Sequence, residues 1–151
     1  MKYRFATPDD IQLLARMNME LADEEQHPNR LKSEGWFRDR MGQFFESGYK
    51  SVLFEMEEKI VAYALYRNDP ERYDTIYLRQ MFVVPEKRRG GVGKKVIGIL
   101  NGEIWPGTKR LTVEVLCHNE IALKFFQSVG YKIYSLELEM KPESRDLSQS
   151  N

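Results

Sequence analysis

A glycine-rich turn flanked by basic residues is the part of the sequence best suited to binding a ligand. It reads Arg88-Arg89-Gly90-Gly91-Val92-Gly93-Lys94-Lys95 and separates a predicted strand from a predicted helix. The first N–H groups of a helix lack intrahelical partners and lie at the positive end of the helix dipole, so they bind anions. Glycines also let a phosphate approach the backbone without meeting Cβ atoms. The turn therefore predicts a phosphate site; the alternative, glycines that serve only tight geometry with the arginines in solvent, stays open.

Two established phosphate motifs do not fit this turn. A P-loop would need glycine in place of Arg88 and serine or threonine in place of Lys95. A dinucleotide-binding fingerprint would need a third glycine in place of Val96. We therefore expect neither kind of nucleotide-binding domain.

Other reactive side chains are few. Cys117 is the one cysteine, so we expect no intramolecular disulfide and no cysteine-based zinc site. His27 and His118 are the two histidines, too few for a multi-histidine metal centre. Because neighbouring strand residues point to opposite faces, Cys117 and His118 are not expected to act as a pair.

Hydrophobic periodicity, caps and turn residues predict ten elements in the order β-α-α-β-β-β-α-β-α-β. The predicted strands cover residues 3–6, 51–56, 60–66, 75–84, 110–116 and 131–140. The predicted helices cover residues 8–25, 34–47, 91–100 and 119–129, with caps at Thr7, Ser33 and Asn119. A hairpin combined with strand-helix-strand units predicts an α/β fold with a mixed, mostly antiparallel sheet and helices on both faces. We expect one domain over residues 1–141 and a flexible polar tail over 142–151.

Composition and charge limit the partners. The chain has 151 residues, of which 42% are hydrophobic and 12% aromatic, enough for one domain with a core. Its 23 basic and 23 acidic residues give no net charge, so we expect no nonspecific binding to nucleic acid or to a membrane surface. We see no signal peptide and no apolar run of about 18 residues, which predicts a cytoplasmic protein.

Two motifs in this predicted framework resemble those of the GCN5-related N-acetyltransferases (the GNAT superfamily). Arg88-x-x-Gly91-x-Gly93, which follows Phe82-Val83-Val84-Pro85, is similar to the acetyl-CoA motif of that family. The run Asn119-x-x-Ala122-x-x-Phe125-Phe126-x-x-x-Gly130-Tyr131 is similar to its second motif. The predicted element order also matches that of the family over residues 3–140. The resemblance implies the GNAT fold and acetyl-CoA as co-substrate, with no metal.

The resemblance also implies where acetyl-CoA binds. In the family, the strand before the turn splays from its neighbour, so backbone groups of Met81, Phe82 and Val83 would bind pantetheine like an added strand. Asn119 would cap its helix and reach the pantetheine or the acyl group, and Phe126 would pack near the cofactor. The pyrophosphate would lie beside Arg88 on the backbone amides of Arg89, Gly90, Gly91, Val92, Gly93 and Lys94.

The implied reaction is acetyl transfer to an amine, and its need for a base depends on the acceptor. Deprotonating a lysine-like amine of pKa about 10.4 at pH 7 costs roughly 4.6 kcal/mol, whereas an α-amine of pKa about 7.7–8 costs about 1–1.4 kcal/mol. Glu114 is the candidate base, since Glu114-Val115-x-x-x-Asn119 resembles the pattern of ribosomal-protein N-terminal acetyltransferases. The alternative is an exposed strand glutamate without a catalytic role.

The acceptor side is defined by three candidate residues. Arg79 and Gln80 stand where the family often has an acid on the preceding strand, and they are candidates for binding an acceptor carboxylate or amide. Glu24 belongs to an acidic stretch in the region that lines the acceptor pocket of the family, and it suits an amine. An edge pair at Arg79-Gln80 and a solvated helix surface at Glu24 are the alternatives.

The general acid is an open question. Phe126 stands where the family commonly has a tyrosine that protonates the leaving thiolate. Tyr131, Tyr134, Cys117 or water would then donate the proton, or the thiolate would leave unassisted. A CoA thiol with a pKa of about 8.5 can leave as the anion near neutral pH.

Two functions fit these observations. The leading prediction is an acetyl-CoA-dependent N-acetyltransferase that moves the acetyl group directly to a primary amine in a ternary complex. The alternative is a non-catalytic acyl-CoA-binding regulatory module on the same fold, which Phe126 and the missing strand acids favour. The acceptor would be a small-molecule amine or an amine of a peptide or protein. Its identity, the acyl-chain preference and the oligomeric state, including a homodimer, stay open.

Overall fold

The computed structural model describes residues 1–146 and contains five strands and five α-helices in that range. The strands are β1 (Lys2–Phe5), β2 (Lys50–Met56), β3 (Lys59–Asn68), β4 (Thr75–Val83) and β5 (Arg110–Val113). The helices are α1 (Ile11–Glu24), α2 (Glu34–Glu46), α3 (Val92–Ile99), α4 (Glu120–Ser128) and α5 (Pro142–Arg145). A π-helical turn, Leu100–Ile104, extends α3.

The strands form one sheet in the order β1-β2-β3-β4-β5. All neighbouring pairs are antiparallel except β4 and β5, which are parallel and joined by α3. The predicted mixed, mostly antiparallel sheet is therefore confirmed. Its parallel pair is the pair on either side of the glycine-rich turn.

Helices cover both faces of the sheet, as the α/β prediction requires. Alternate residues of the central strands point to opposite faces and so belong to two separate cores. One face packs against α1 and α2 through a cluster that includes Leu14, Met41, Leu53, Tyr63 and Leu65. The other packs against α3 and α4 through a cluster that includes Val52, Ala64, Val96, Leu100 and Phe126.

Local signals set the helix starts as predicted. The Ser33 hydroxyl accepts a hydrogen bond from the Trp36 N–H, and Asn119 Oδ1 accepts one from the Ala122 N–H. Thr7 and Asp10 form a capping box around a single 3₁₀ turn, so α1 itself begins at Ile11. These caps satisfy N–H groups that have no partner within the helix.

The predicted sixth strand is wrong. Residues 131–140 belong to no strand within the described chain, although their alternating pattern is typical of one. Alternation shows that a segment can be half-buried, but a strand also needs backbone pairing with a neighbouring strand. Within residues 1–146 this segment is paired with none, although the Tyr134 ring centroid lies 4.6 Å from the Arg110 guanidinium carbon at the start of β5. β5 is also shorter than predicted, because β4 and β5 diverge after Val113. In the predicted tail, Pro142–Arg145 forms a helical turn, and residues 147–151 lie outside the described residues.

Candidate active site

A β-bulge bends β4 where it leaves β5. Leu65 lies opposite Gln80 and Tyr66 lies opposite Leu78, so Arg79 is an extra residue on β4. The pairing of β4 with β5 ends at Leu78 and Val113, directly before this bulge. Bulges increase local twist and commonly end a ladder. Among residues 1–146, no strand pairs with the β5-facing side of the second half of β4, where the predicted pantetheine residues Met81, Phe82 and Val83 lie.

The glycine-rich turn presents the N-terminus of α3. Arg89 and Gly91 both have positive φ angles, 66° and 79°, and Gly91 is the N-cap. The first intrahelical bond runs from the Lys95 N–H to the Gly91 carbonyl, so the N–H groups of Val92, Gly93 and Lys94 precede it. These N–H groups and the unpaired half of β4 are the backbone groups for which the sequence predicts pyrophosphate and pantetheine binding.

Gly93 has a second constraint, which comes from packing. A Cβ atom at this position would lie 2.9 Å from Phe125 Cε1 and 3.1 Å from Phe125 Cζ. It would also lie 3.7 Å from Met81 Cε. The missing side chain therefore allows α3 to approach α4 and β4 closely, in addition to any role in approach of a phosphate.

Arg88 is engaged within the protein. Its Nη2 lies 2.8 Å from both carboxylate oxygens of Glu24, and its Nε donates to the Val83 carbonyl at 2.8 Å. The guanidinium lies over the Phe82 ring, 5.4 Å from its centroid. This contact ties the end of α1 to the end of β4, and it pairs the Glu24 carboxylate that we considered for the acceptor.

The second motif contributes a cap and an aromatic cluster. Asn119 caps α4, as described above, and Phe126 is only 9% exposed in the core beside α3. The ring of Tyr131 packs edge-on against Phe126 at a centroid distance of 5.4 Å. Burial raises the pKa of Tyr131 to about 12, and its buried hydroxyl has no hydrogen-bond partner within residues 1–146. Tyr131 thus stays protonated at neutral pH and can donate a hydrogen bond.

Glu114 lies one residue beyond the end of β5 and is exposed. Tyr77 on β4 lies close to it. Burial and then the Glu114 carboxylate raise the pKa of Tyr77 to about 12, while Arg79 opposes the shift. Tyr77 is therefore close enough to interact with both Glu114 and Arg79, at the place where β4 and β5 begin to diverge.

Arg79 and Gln80 both make hydrogen bonds on the face covered by α1 and α2. Arg79 Nη1 donates to the Tyr49 hydroxyl at 3.1 Å. Gln80 Oε1 accepts a hydrogen bond of 2.9 Å from the hydroxyl of the fully buried Tyr63. Gln80 is thus fixed by the core, whereas Arg79 belongs to a set of polar and aromatic side chains at the surface of this face.

Arg40, Arg67 and Tyr49 join Arg79 in that set, and no sequence motif singles them out. The Arg67 guanidinium carbon lies 4.6 Å from the Tyr49 ring centroid, and Arg40 lies 5.2 Å from that of Phe44. The residues come from α2, β3, β4 and the loop before β2, so only long-range contacts bring them together.

Glu25 is a further residue that sequence motifs do not reveal. It follows α1 directly and is partly buried. Burial and then the neighbouring Glu24 raise the pKa of its carboxyl, while His118 opposes the shift. Carboxyls with raised pKa values are common at sites of proton transfer, and the pattern can be recognised only once burial is known.

The family of the chain follows from its sequence profile. A profile of the acetyltransferase (GNAT) family matches residues 14–131, so the chain belongs to that family. The resemblance seen in the two motifs is thereby confirmed. No curated protein matches the sequence significantly.

Solved structures share the fold at low sequence identity. A possible acetyltransferase from Clostridium difficile 630 has a TM-score of 0.71 and 19% identity, with 92% of this chain and 98% of that chain covered. The aminoglycoside antibiotic 6'-N-acetyltransferase AAC(6')-IG from Acinetobacter haemolyticus has a TM-score of 0.70 and 16% identity, covering 93% and 97%. The aminoglycoside N-acetyltransferase AAC(6')-Iy, solved with CoA, has a TM-score of 0.70 and 13% identity, covering 93% of each chain. These similarities establish the GNAT fold of the chain.

None of the helices in residues 1–146 is both long and apolar enough to span a bilayer. The same range contains no group of three or more histidine, cysteine, aspartate or glutamate side chains arranged to hold a metal ion.

Proposed function

We propose that the protein is an acetyl-CoA-dependent N-acetyltransferase that acts on a primary amine by direct transfer. One observation carries the proposal: the second half of β4, which has no partner strand on the β5 side within residues 1–146, occurs together with free N–H groups at the start of α3. Bound acetyl-CoA would supply the acetyl group as an activated thioester. Backbone groups of Met81 to Val83 would orient the pantetheine, and the N–H groups from Arg89 to Lys94 would hold the pyrophosphate. Hydrogen bonds to charged groups contribute roughly 1.5–3 kcal/mol each, so several of them would anchor the ligand.

Glu114 is the proposed base. Its position after β5, near Tyr77 and the diverging strands, allows its carboxylate to accept a proton from an acceptor amine beside the cofactor. Glu25 is the second candidate, because burial and the neighbouring Glu24 raise the pKa of its carboxyl, which makes the carboxylate a stronger base than an ordinary one. Tyr131 is the candidate donor for the leaving thiolate, in the absence of a tyrosine at position 126.

The alternative is a non-catalytic acyl-CoA-binding module on the same fold. Phe126 favours it, because the ring is a core residue without a proton to donate. Both functions require acetyl-CoA binding, but only the enzyme releases CoA thiol in an amine-dependent reaction.

Substitution of the two carboxylates separates the possibilities. We expect Glu114→Gln to lower kcat/KM for a side-chain amine by about 10²–10⁴-fold, the usual contribution of a general base, with unchanged calorimetric affinity for acetyl-CoA. Glu25→Gln is the matched comparison, and a larger loss there would make Glu25 the base. Amine-dependent thiol release that is equal in wild type and both variants would remove both from the reaction. Binding of acetyl-CoA without thiol release from any amine would favour the binding module, and no binding at millimolar acetyl-CoA would contradict both functions.

A further inference from the structure

Three half-buried arginines crowd one region of the face covered by α1 and α2. Arg79 lies 4.9 Å from the Phe44 ring centroid and 5.8 Å from that of Tyr49. Arg40 shares the Phe44 ring with it, and Arg67 shares the Tyr49 ring. The Phe44 and Tyr49 rings therefore link the three guanidinium groups, and Arg79 contacts both rings. We call these three residues the arginine cluster.

The arginine cluster makes no salt bridge within residues 1–146. Four other cations in that range each make one. Arg67 Nε is buried without a hydrogen-bond partner in the same range. Burial and then Arg79 lower the pKa of Arg40, and burial, Arg40 and Arg79 lower that of His27. Guanidinium groups held together in this way repel one another, and an anion placed among them would relieve the repulsion.

The cluster also lies beside the proposed reaction site. Arg67 is the cross-strand neighbour of Tyr77, whose hydroxyl interacts with Glu114 and Arg79. A ligand anion among the arginines would therefore leave the rest of the ligand near Glu114.

We infer that the acceptor carries, besides its amine, an anionic group that binds in the arginine cluster. This inference rests on the proposed acetyltransferase function for the identity of the ligand as acceptor. The anionic group is a carboxylate or a phosphate, the two groups that match the planar guanidinium fork. A polycationic acceptor would meet three positive charges here, so the aminoglycosides named for the structural neighbours do not fit this site.

Kinetics with matched acceptors tests the inference. Initial rates of thiol release are compared for an amino acid and its carboxamide, and for an aminoalkyl phosphate and the corresponding amino alcohol. In one of the two pairs, we expect the kcat/KM of the anionic acceptor to be at least tenfold higher than that of its uncharged counterpart. We expect Arg67→Gln or Arg79→Gln to reduce that preference about tenfold by raising KM for the anionic acceptor. Arg38→Gln is the matched control, because Arg38 lies on α2 but is exposed. A preference for the uncharged members, or one that the cluster variants leave unchanged, would overturn the inference.

A second measurement does not depend on turnover. Thermal unfolding is followed in succinate and in inorganic phosphate, with saturating CoA present and with ionic strength matched by NaCl. We expect one of the two anions to raise the Tm of wild type and of Arg38→Gln but not of Arg79→Gln. The anion that raises Tm shows whether the acceptor's anionic group is a carboxylate or a phosphate. A Tm shift that depends on the cluster, without thiol release from any amine, would contradict the acetyltransferase proposal and keep the anion site. No shift with either anion would contradict the site itself.

Discussion

Gly93 and Asp10 are two residues whose surroundings give measurable consequences at the scale of single side chains. Gly93 lies against the Phe125 ring, where a Cβ atom would come as close as 2.9 Å. Asp10 forms two hydrogen bonds of 2.8 Å with the Arg4 guanidinium and a third with the Thr7 N–H. At position 93 the Phe125 ring limits the size of the side chain, whereas at position 10 the contacts depend on the charge of the carboxylate.

Gly93→Ala is expected to destabilise the protein by about 1–3 kcal/mol, because the new methyl group overpacks the contact with Phe125. In a chain of this size that corresponds to a fall in Tm of roughly 2–4 °C per kcal/mol. Gly98→Ala is the matched control, since Gly98 lies on the same helix with nothing within 4 Å of its Cβ position. It should leave Tm unchanged or raise it, because alanine is the better helix former. Equal thermal denaturation curves for the two variants would show that the Phe125 contact is not limiting.

Asp10→Asn is expected to lower stability at pH 7, with an effect that vanishes only near pH 1. The hydrogen bond from Arg4 holds the pKa of Asp10 at about 2, below its ordinary value of 3.8. A carboxyl with a lowered pKa in the folded state stabilises that state fully above the unfolded pKa, and the effect is lost progressively as pH falls from about 5 to 1. We expect a difference of roughly 1 kcal/mol at neutral pH, since Arg4 is largely exposed. Urea unfolding of both proteins at several pH values measures the difference, and a pH-independent gap would contradict the ion pair as its cause.

At the scale of elements, the start of α3 is where backbone geometry and the proposed ligand meet. Gly91→Val places a branched side chain at a φ angle of 79°, which costs about 1–3 kcal/mol unless the backbone moves. We expect a roughly tenfold weaker affinity for acetyl-CoA, equivalent to about 1.4 kcal/mol. Gly90→Ala is the control, because Gly90 does not have a positive φ angle and its Cβ position meets no atom closer than 4.0 Å. Calorimetric titration compares the two, and equal affinities would mean that the turn does not hold the ligand.

Elements with local signals could be predicted from the sequence. The hairpin between β2 and β3, the caps Ser33 and Asn119 and the order of the first nine elements follow from periodicity and from side chains that bond to nearby backbone. The α/β class with helices on both faces follows from that order.

Elements and contacts that depend on distant partners could not be predicted. The segment from 131 to 140 has the alternating pattern of a strand, but the pattern does not show whether a neighbouring strand is available for it to pair with. The end of β5 at Val113 depends on the bulge at Arg79, which is a property of the β3–β4 register. The arginine cluster is assembled from three elements, α2, β3 and β4, and the Arg88–Glu24 pair joins residues 64 positions apart.

At the scale of the whole molecule, a net charge of zero conceals an uneven distribution. The arginine cluster collects positive charge on the face covered by α1 and α2, whereas Glu137 and Glu139 lie exposed on the segment that follows α4.

The bulge on β4 also bears on how the reaction would slow down as it proceeds. The half-strand that the bulge leaves unpaired offers only backbone groups, and backbone groups recognise the pantetheine chain rather than the acetyl group at its end. Spent CoA has the same pantetheine and the same pyrophosphate as the acetylated donor. We therefore expect free CoA to inhibit the reaction in competition with acetyl-CoA. The ratio of acetyl-CoA to free CoA would then govern the rate as much as the total amount of either.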